Sequence, residues 1–182
     1  MNIIRIPRDR LGALIGPGGE TRRMLVERSG IQIEVDSDQN EVSIFDDAEG
    51  VDPVMALKIR DIVRAIGRGF SPDSAARLFS DDVYFELVDI HDFTGKSRER
   101  QRQVTARLIG TEGKTRRIIE EQTGCTLAIY GHTVGIIGEL ESIGTAKAAV
   151  EMILGGAEHS SVYRYLENQR RRSRQQSQQL WE

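Results

Sequence analysis

Two stretches of the chain have nearly the same sequence. Residues 14–25 read LIGPGGETRRML, and residues 108–119 read LIGTEGKTRRII. The second lies 94 residues after the first, and in that register Gly30 also falls over Gly124, with an alternating apolar and polar segment after it in the first copy. A match at fixed offset is typical of a duplicated module. The sequence therefore predicts two copies of one small domain.

Each copy predicts the same order of elements, β-α-α-β-β-α. In the first copy, Asp52-Pro53 has the pattern of an N-cap and first helical residue. Met55, Ile59, Ile62 and Ile66 then recur at helical spacing. In the first copy, the predicted strands are 3–6, 31–35 and 41–45, and the predicted helices are 11–15, 20–28 and one from 53. In the second copy, the predicted strands are 83–88, 125–130 and 134–137. Its predicted helices lie near 100–108, at 114–123 and in a last segment that carries Ile143, Ala146, Val150 and Ile153. The fold class is therefore α+β, with two tandem domains.

The boundaries follow from this pattern. We expect a first domain at 1–67, a linker with one helical turn at 68–81, a second domain at 82–155 and a C-terminal helix and tail at 156–182. Val162, Tyr163 and Leu166 are suited to anchoring a helix. The Arg-rich segment from residue 170 onward is expected to be solvated or disordered.

Several function classes are excluded or disfavoured by composition. Cys125 is the only cysteine, so neither a disulfide nor a zinc site built from several thiolates can form. His91, His132 and His159 show no metal-binding spacing, and no catalytic set emerges. We expect no metal, no cofactor and no enzymatic activity. Without a long apolar stretch or a secretory signal, the chain is expected in the cytoplasm with no membrane partner.

Charge is segregated along the chain. The net charge is −3, which disfavours nucleic acid when taken alone. However, residues 36–52 carry seven acidic residues and no basic one, whereas residues 96–117 carry eight basic residues and two acidic ones. Local field decides where a polyanion binds. The second copy is therefore the better candidate for binding phosphate.

The glycine-rich loops, residues 16–19 (loop 1) and 110–113 (loop 2), each join two predicted helices. Glycine permits a tight reversal, and the following helix directs free N–H groups at the gap, where a phosphate can bind. Lys114, Arg116 and Arg117 add positive charge. A nucleotide-binding P-loop is excluded because Leu108 stands where that motif requires glycine.

A groove for bases is expected beside each loop. Its floor is the apolar face of the middle strand, with Ile33 and Val35 in the first copy and Leu127 and Ile129 in the second. A GxxG loop that clamps about four nucleotides of a single strand is the binding mode of KH domains.

The sequence resembles the type I KH fold over residues 2–155. The second copy, with RLIGTEGKTRR at 107–117 and GIIG at 135–138, resembles the ribosome-assembly KH family called partner of Nob one, which archaea and eukaryotes share. The short length suggests the archaeal form. The resemblance implies binding near the 3′ end of small-subunit rRNA, alongside the rRNA dimethylase, the nuclease that makes the final 3′ cut and a translation initiation factor subunit.

The motif match carries the family's RNA contacts onto specific positions. The phosphate contacts are Gly16, Pro17, Gly18, Gly19, Gly110, Thr111, Glu112 and Gly113, and the groove or cationic contacts are Arg22, Ile33, Arg107, Lys114, Arg116, Arg117 and Ile129. Common KH domains have an apolar residue where Arg22 and Arg116 stand. Glu20 also replaces Lys114 in the first copy, so the second domain is expected to be the main RNA site. The alternative is a protein-binding scaffold, or a translation-linked factor with little RNA specificity of its own.

Overall fold

In a computed structural model, each copy of the repeat folds around its own three-stranded antiparallel sheet. The structure describes residues 1–180 and divides the chain into two units, Met1–Phe85 and a second that begins at Glu86. The elements of the first unit are β1 (Asn2–Arg5), α1 (Arg8–Ile15), α2 (Glu20–Ser29), β2 (Gln32–Asp36), β3 (Glu41–Phe45), α3 (Pro53–Gly67) and α4 (Pro72–Ala76).

The second unit repeats this order with one additional helix and a longer C-terminal one. Its elements are β4 (Val83–Asp89, which begins just before the boundary), α5 (His91–Thr94), α6 (Arg98–Ile109), α7 (Lys114–Thr123), β5 (Thr126–Tyr130), β6 (Thr133–Glu139), α8 (Leu140–Leu154) and α9 (His159–Gln179). The predicted α+β class and the order β-α-α-β-β-α are confirmed. Within the described residues, no helix has the length and apolar character needed to span a membrane.

The sheets have the orders β1-β3-β2 and β4-β6-β5. The strands at 31–35 and 125–130, which are in the middle by chain order, are therefore edge strands, and the central strands are β3 and β6. Ile33 pairs with Ile44, and Leu127 pairs with Ile136. An edge strand keeps one row of backbone groups outside the sheet, which suits contact with a ligand.

The helices cover one face of each sheet. In the first unit, Ile33, Ile44, Ile59, Ile62 and Ile66 are fully buried, as the alternating and helical patterns predicted. The four residues predicted for the last helix of the second copy, Ile143, Ala146, Val150 and Ile153, are buried in one cluster with Val162 and Leu166 of α9. Cys125 also lies in this cluster, so its thiol is part of the core of the second unit.

The segments that follow α3 and α8 each pack within their own unit, and both consist of a glycine turn followed by a helix. Gly69 and Gly156 donate to the carbonyls of Ile66 and Ile153, and a helix follows each turn. In the first unit, Phe70, Ala75 and Leu78 are buried. Residues 68–81, expected to be a linker, therefore contain α4 and pack within the first unit, because three apolar side chains recur there.

The Arg-rich segment was also expected to be solvated or disordered. It is helical through Gln179, although its side chains from residue 170 onward are exposed. The long polar helix continues from a first half that Val162 and Leu166 anchor in the core. The last two residues of the predicted tail, 181–182, lie outside the described residues.

Several acids of the segment 36–52 serve local structure. Asp36 accepts the backbone N–H groups of Asp38 and Gln39 in the hairpin turn, and Asp52 caps α3 through the N–H of Val54. Asp46 is only 1% exposed and accepts from the Asn2 amide (2.8 Å) and the Arg60 Nε (2.5 Å). Part of the acidic segment is therefore held inside the first unit.

Asp46 gives the first unit a testable pH dependence. Burial opposes its ionisation, but hydrogen bonds from Asn2 and Arg60 outweigh burial and lower the pKa of Asp46. Its stabilisation is therefore complete above the ordinary Asp pKa of about 3.9 and is lost as pH falls through the lower folded value. We expect Asp46→Asn to cost about 2 kcal/mol at pH 7 and progressively less below about pH 4. Hydrogen exchange of α3 peptides measures this, and an equal cost at pH 7 and pH 2 would contradict it.

Candidate nucleic-acid interface

The two loops have the same backbone conformation. Gly16 and Gly110 have φ/ψ of 73°/171° and 76°/173°, and Gly19 and Gly113 have 78°/14° and 74°/15°. The third loop position is also left-handed, with Gly18 at 57°/22° and Glu112 at 54°/29°. The duplicated sequence therefore builds the same loop twice, although Glu112 holds in one copy a conformation that favours glycine.

The first glycine of each loop lies against a threonine of the following helix. A Cβ added at Gly16 would lie 2.7 Å from the Thr21 nitrogen, and one at Gly110 would lie 2.7 Å from the Thr115 nitrogen. A Cβ added at the fourth position would meet no atom within 4 Å at Gly113 and only the flexible end of Arg23, at 3.3 Å, at Gly19. The first glycine is therefore required by close packing, whereas the fourth is required only by its positive φ.

Each loop leads directly into a helix that has no side-chain cap. The N-caps of α2 and α7 are Gly19 and Gly113, so no side chain accepts the first N–H groups of either helix. The N-terminus of a helix attracts anions through those groups and its dipole. The N–H groups of Gly113 and Lys114 already donate to the carbonyls of Gly110 and Thr111, and those of Gly19 and Glu20 donate to the carbonyls of Gly16 and Pro17. Phosphate binding at the loops therefore depends on the helix dipole and on the other N–H groups of each turn, and it stays a prediction.

The cations around the loops differ between the units. Arg117 donates to the Glu112 carbonyl (2.9 Å), and Arg23 makes the same bond to Gly18 (2.7 Å), which holds one guanidinium beside each loop. Next to it, exposed Lys114 stands in the second unit where exposed Glu20 stands in the first. The second loop therefore has the more positive surroundings.

The arginines predicted for the grooves also behave differently. Arg22 donates to the Ile33 carbonyl (3.1 Å) and so occupies an acceptor on edge strand β2. Its counterpart Arg116 lies 3.9 Å from Glu120 and stays 48% exposed. Glu120 in turn accepts the backbone N–H of Leu127 (2.9 Å). Within the described contacts, Arg116 is therefore held less firmly than Arg22.

Ile33 and Ile129 are placed unequally for contact with a base. The Ile33 side chain is fully buried, so it belongs to the core of the first unit and does not face a groove. Ile129 is half-buried, at the end of β5. The expected contact by the Ile33 side chain would require the core to open, because no part of that side chain reaches the surface.

Arg107 is placed away from the position expected for a groove contact. Its guanidinium donates to the carbonyls of Ile153 (3.1 Å) and Ala157, and its own carbonyl lies 2.8 Å from His159 Nε2. Arg10 makes the matching pair of bonds to Ile66 and Phe70 in the first unit. Both arginines therefore tie the helix before the glycine-rich loop to the end of the last KH helix, α1 to α3 in the first unit and α6 to α8 in the second. The sequence did not reveal this shared role because Arg10 and Arg107 are not at the repeat offset.

We therefore expect Arg107→Met to destabilise the second unit by about 2 kcal/mol, since two charge-assisted hydrogen bonds are lost while the apolar stem is kept. RNA affinity of the folded protein should change little. Arg102→Met, at an exposed position of the same helix, is the control and should leave stability unchanged. Thermal unfolding and RNA titration separate the two roles. A large loss of affinity at unchanged stability would restore Arg107 to the groove.

Two histidines that are far apart in sequence meet at one end of the second unit. The His91 and His132 rings stack at 4.3 Å with planes 9° apart, and His132 Nδ1 lies 3.0 Å from Asp89 Oδ1. Burial opposes the ionisation of Asp89, but bonds from the His91 N–H and from His132 outweigh it and lower the pKa of Asp89. The three side chains could approach one cation. Nearly parallel rings, however, cannot both direct a nitrogen lone pair at one ion without rotating, so local hydrogen bonding is sufficient to explain the group.

The C-terminal helix contacts the threonine that underlies loop 2. The hydroxyls of Thr115 and Tyr163 lie 3.1 Å apart, and Thr115 is only 2% exposed. Tyr163 also stacks on His159, with ring centres 6.1 Å apart. The sequence predicted Tyr163 as an anchor of this helix. The structure shows that the anchor point is the residue against which Gly110 packs.

Family models and known relatives identify both units as KH domains, in agreement with the geometry of the two loops. Residues 2–57 match the model of the KH domain, and residues 84–171 match the model described as a eukaryotic type KH-domain (KH-domain type I). A KH domain-containing protein of Methanocaldococcus jannaschii is 42% identical over 181 residues, which cover all of this chain and 79% of that protein. The pre-rRNA-processing protein pno1 of Schizosaccharomyces pombe is 26% identical, over 96% of this chain and 73% of that protein. The chain belongs to the partner of Nob one family.

Solved structures show the same relationship for this partner of Nob one family member. A protein of unknown function from Aeropyrum pernix matches with a TM-score of 0.93 and 36% identity, over 99% of this chain and 96% of that one. A chain in the crystal structure of an a/eIF2alpha–aDim2p–rRNA complex from Pyrococcus horikoshii matches with a TM-score of 0.87 and 42% identity, over 93% of each chain. The similarity to pno1 and to the chain in the aDim2p–rRNA complex confirms the predicted family resemblance.

Proposed function

We propose that this chain binds single-stranded RNA near the 3′ end of small-subunit rRNA during maturation of the subunit in the cytoplasm. The observation that carries the proposal is loop 2 with the start of α7, a helix N-terminus that has no side-chain cap and lies beside Lys114 and Arg117. Phosphate contacts of this kind position an RNA strand without reading its sequence. The adjacent edge strand β5, with half-buried Ile129, is the surface available to the bases.

The second unit is proposed as the main RNA site. In the first unit, Glu20 adds a negative charge at the helix that follows loop 1, and Arg22 is engaged with the β2 backbone. In the second unit, Lys114 and Arg116 remain exposed. With Glu112 included, residues 110–117 carry a formal charge of +2 (three cations and one anion), whereas residues 16–23 carry +1 (two cations and one anion). Because phosphate attraction dominates the affinity of such sites, the more positive loop 2 is favoured.

The partners are proposed on the same basis. The Pyrococcus structure that resembles this chain contains a/eIF2alpha and rRNA, so a translation initiation factor subunit and rRNA are proposed partners here. The family resemblance adds the rRNA dimethylase and the 3′-processing nuclease. In this setting the chain holds or presents RNA, and the chemistry is done by others.

A titration tests the proposal. A labelled single strand copied from the 3′ end of small-subunit rRNA is compared with a scrambled strand of equal length and with a duplex, at one fixed salt concentration, because affinities without a stated salt have no meaning. Tighter binding of the natural strand than of either control is expected. Equal binding of the natural and scrambled strands would remove the 3′-end claim, and preference for the duplex would remove the single-strand claim.

Exposed acids favour a second role for the first unit. Glu20 lies after loop 1, and Asp38 lies at the tip of the β2–β3 hairpin, both exposed. Exposed acids at these two positions weaken the attraction of the first unit for RNA and suit contact with a basic protein. If the first unit is a protein-binding scaffold, a variant with Glu20→Lys and Asp38→Lys should lose a protein partner in a pull-down while RNA affinity is kept or raised.

A further inference from the structure

Helices α7 and α9 lie side by side and point in the same direction. Thr115 of α7 meets Tyr163 of α9, and seven residues later Gln122 accepts a hydrogen bond from Arg170 (3.3 Å). Both pairs are 48 residues apart in the chain, so the two helices stay in register over about two turns, or roughly 10 Å. The side of α7 that α9 contacts begins directly at loop 2.

The distal half of α9 is strongly basic. Arg170, Arg171, Arg172 and Arg174 fall within five positions, and residues 168–180 contain no acid. All four side chains are exposed. Arg171 is paired with Glu167 (3.0 Å), which neutralises the last acid before this segment. Arg170 and Arg174 lie one turn apart and so share a face of the helix.

A groove of about 380 Å³ separates the two helices at this point. It is lined by Ile118 and Gln122 of α7 and by Tyr163, Glu167, Arg170, Arg171 and Arg174 of α9. The Tyr163 ring and Ile118 supply apolar surface, whereas the arginines supply planar donors that match phosphate oxygens. Such a lining suits a sugar-phosphate backbone better than an apolar peptide.

We propose that the α7–α9 groove is a second phosphate-binding site, which holds the RNA that flanks the nucleotides clamped at loop 2. The proposal rests on the proposed RNA-binding function and extends it beyond the four-nucleotide clamp of a KH domain. Lys114 and Arg117 lie exposed in the first turn of α7, and Arg170 and Arg174 lie two to three turns further along the neighbouring helix. The cations therefore form a track that begins at the loop and leads away from it.

The first unit has no counterpart of this track. The helix that follows its last KH helix, α4, ends after five residues at Ala76, whereas α9 has 21 residues. Among residues 1–180, the basic helical extension therefore belongs to the second unit alone, in agreement with its proposed role as the main RNA site.

A length series tests the inference. Affinities are measured for a strand of about four nucleotides and for one about three times longer, which share the same loop-binding segment. The variant is Arg170→Gln with Arg174→Gln. The control, Arg8→Gln with Arg164→Gln, removes two exposed arginines that do not line the groove. We expect the variant to bind the longer strand about ten-fold more weakly, with the shorter strand and the control within two-fold of wild type.

The salt dependence of RNA affinity gives an independent measurement of the phosphate contacts in the groove. For the longer strand, the slope of log affinity against log salt should fall by about 0.7 for each phosphate contact that is lost. Unchanged affinity for the longer strand in the variant overturns the inference. Weaker binding of the variant to polyglutamate, with its RNA binding intact, also overturns the inference, because it would assign the groove to an acidic protein. The variant Thr111→Asp with Lys114→Glu separates RNA binding at loop 2 from RNA binding at the α7–α9 groove. If loop 2 binds RNA, this variant should bind both the shorter and the longer strand more weakly, whether or not the groove binds RNA.

Discussion

Replacing Gly110 by alanine should destabilise the second unit by about 3 kcal/mol or more. The residue has φ +76°, and a Cβ there would lie 2.7 Å from the Thr115 nitrogen and closer still to its hydroxyl oxygen. With ψ at 173°, this backbone conformation is essentially restricted to glycine and costs other residues about 1–3 kcal/mol, and forced overpacking adds about 1–3 kcal/mol. Thr115 cannot move away easily, because it is buried and its hydroxyl meets Tyr163 of α9. The damage should therefore spread to the C-terminal helix.

Gly113→Ala is the matched control for this change. Gly113 has φ +74° in the same loop, but an added Cβ there meets no atom within 4 Å. It should therefore cost only the conformational strain, about 1 kcal/mol. Hydrogen-exchange mass spectrometry of peptides from α7 and α9 measures both variants within the second unit. Equal protection in the two variants would show that Gly110 does not depend on close packing.

The largest loss of RNA affinity is expected from Thr111→Asp combined with Lys114→Glu. Both positions are exposed, so the fold should survive, while one cation is lost and two carboxylates are gained at the proposed phosphate site. We expect affinity to fall by roughly fifty-fold at low salt, equivalent to about 2 kcal/mol, and the deficit should shrink as salt rises.

Pro17→Asp is the comparison in the first unit. With Glu20 already present, this single change places carboxylates at the two positions of loop 1 that correspond to the altered residues of loop 2, which also retains Glu112. Less than about two-fold loss is expected, because the first loop is proposed to contribute little to RNA affinity. Losses of similar size in both variants, measured by fluorescence anisotropy, would contradict the ranking of the two units.

The repeat was sufficient to predict the order of elements. The segment 114–123 begins and ends in the structure where the sequence predicted it, because Gly113 and Gly124 both adopt the left-handed conformation that ends or precedes a helix. The hydrophobic pattern did not predict the polar first turns of α1 and α6. α1 begins at Arg8, three residues before its first apolar residue, and α6 begins at Arg98 after the Ser97 cap, since hydrophobic spacing does not register turns that face solvent.

The candidate site was predicted less completely than the fold. The loops follow from local glycine chemistry and were predicted residue by residue. The Arg107 bonds to Ile153 and Ala157 span 46 and 50 residues and end on backbone carbonyls, which leave no signature in sequence. The meeting of Asp89, His91 and His132 likewise depends on the way the β5–β6 turn folds over the end of β4. Contacts of this kind depend on tertiary packing and not on spacing.

Amide chemical shifts test the central claim most directly. The claim is that loop 2 and the first turn of α7 bind the phosphates of a single RNA strand. The full chain, labelled with ¹⁵N, is titrated with a short single strand from the 3′ end of small-subunit rRNA. The account predicts that the largest shifts fall on residues 110–117, with smaller ones on residues 16–23. Saturation with the largest shifts on residues 16–23, or outside both loops, would contradict it.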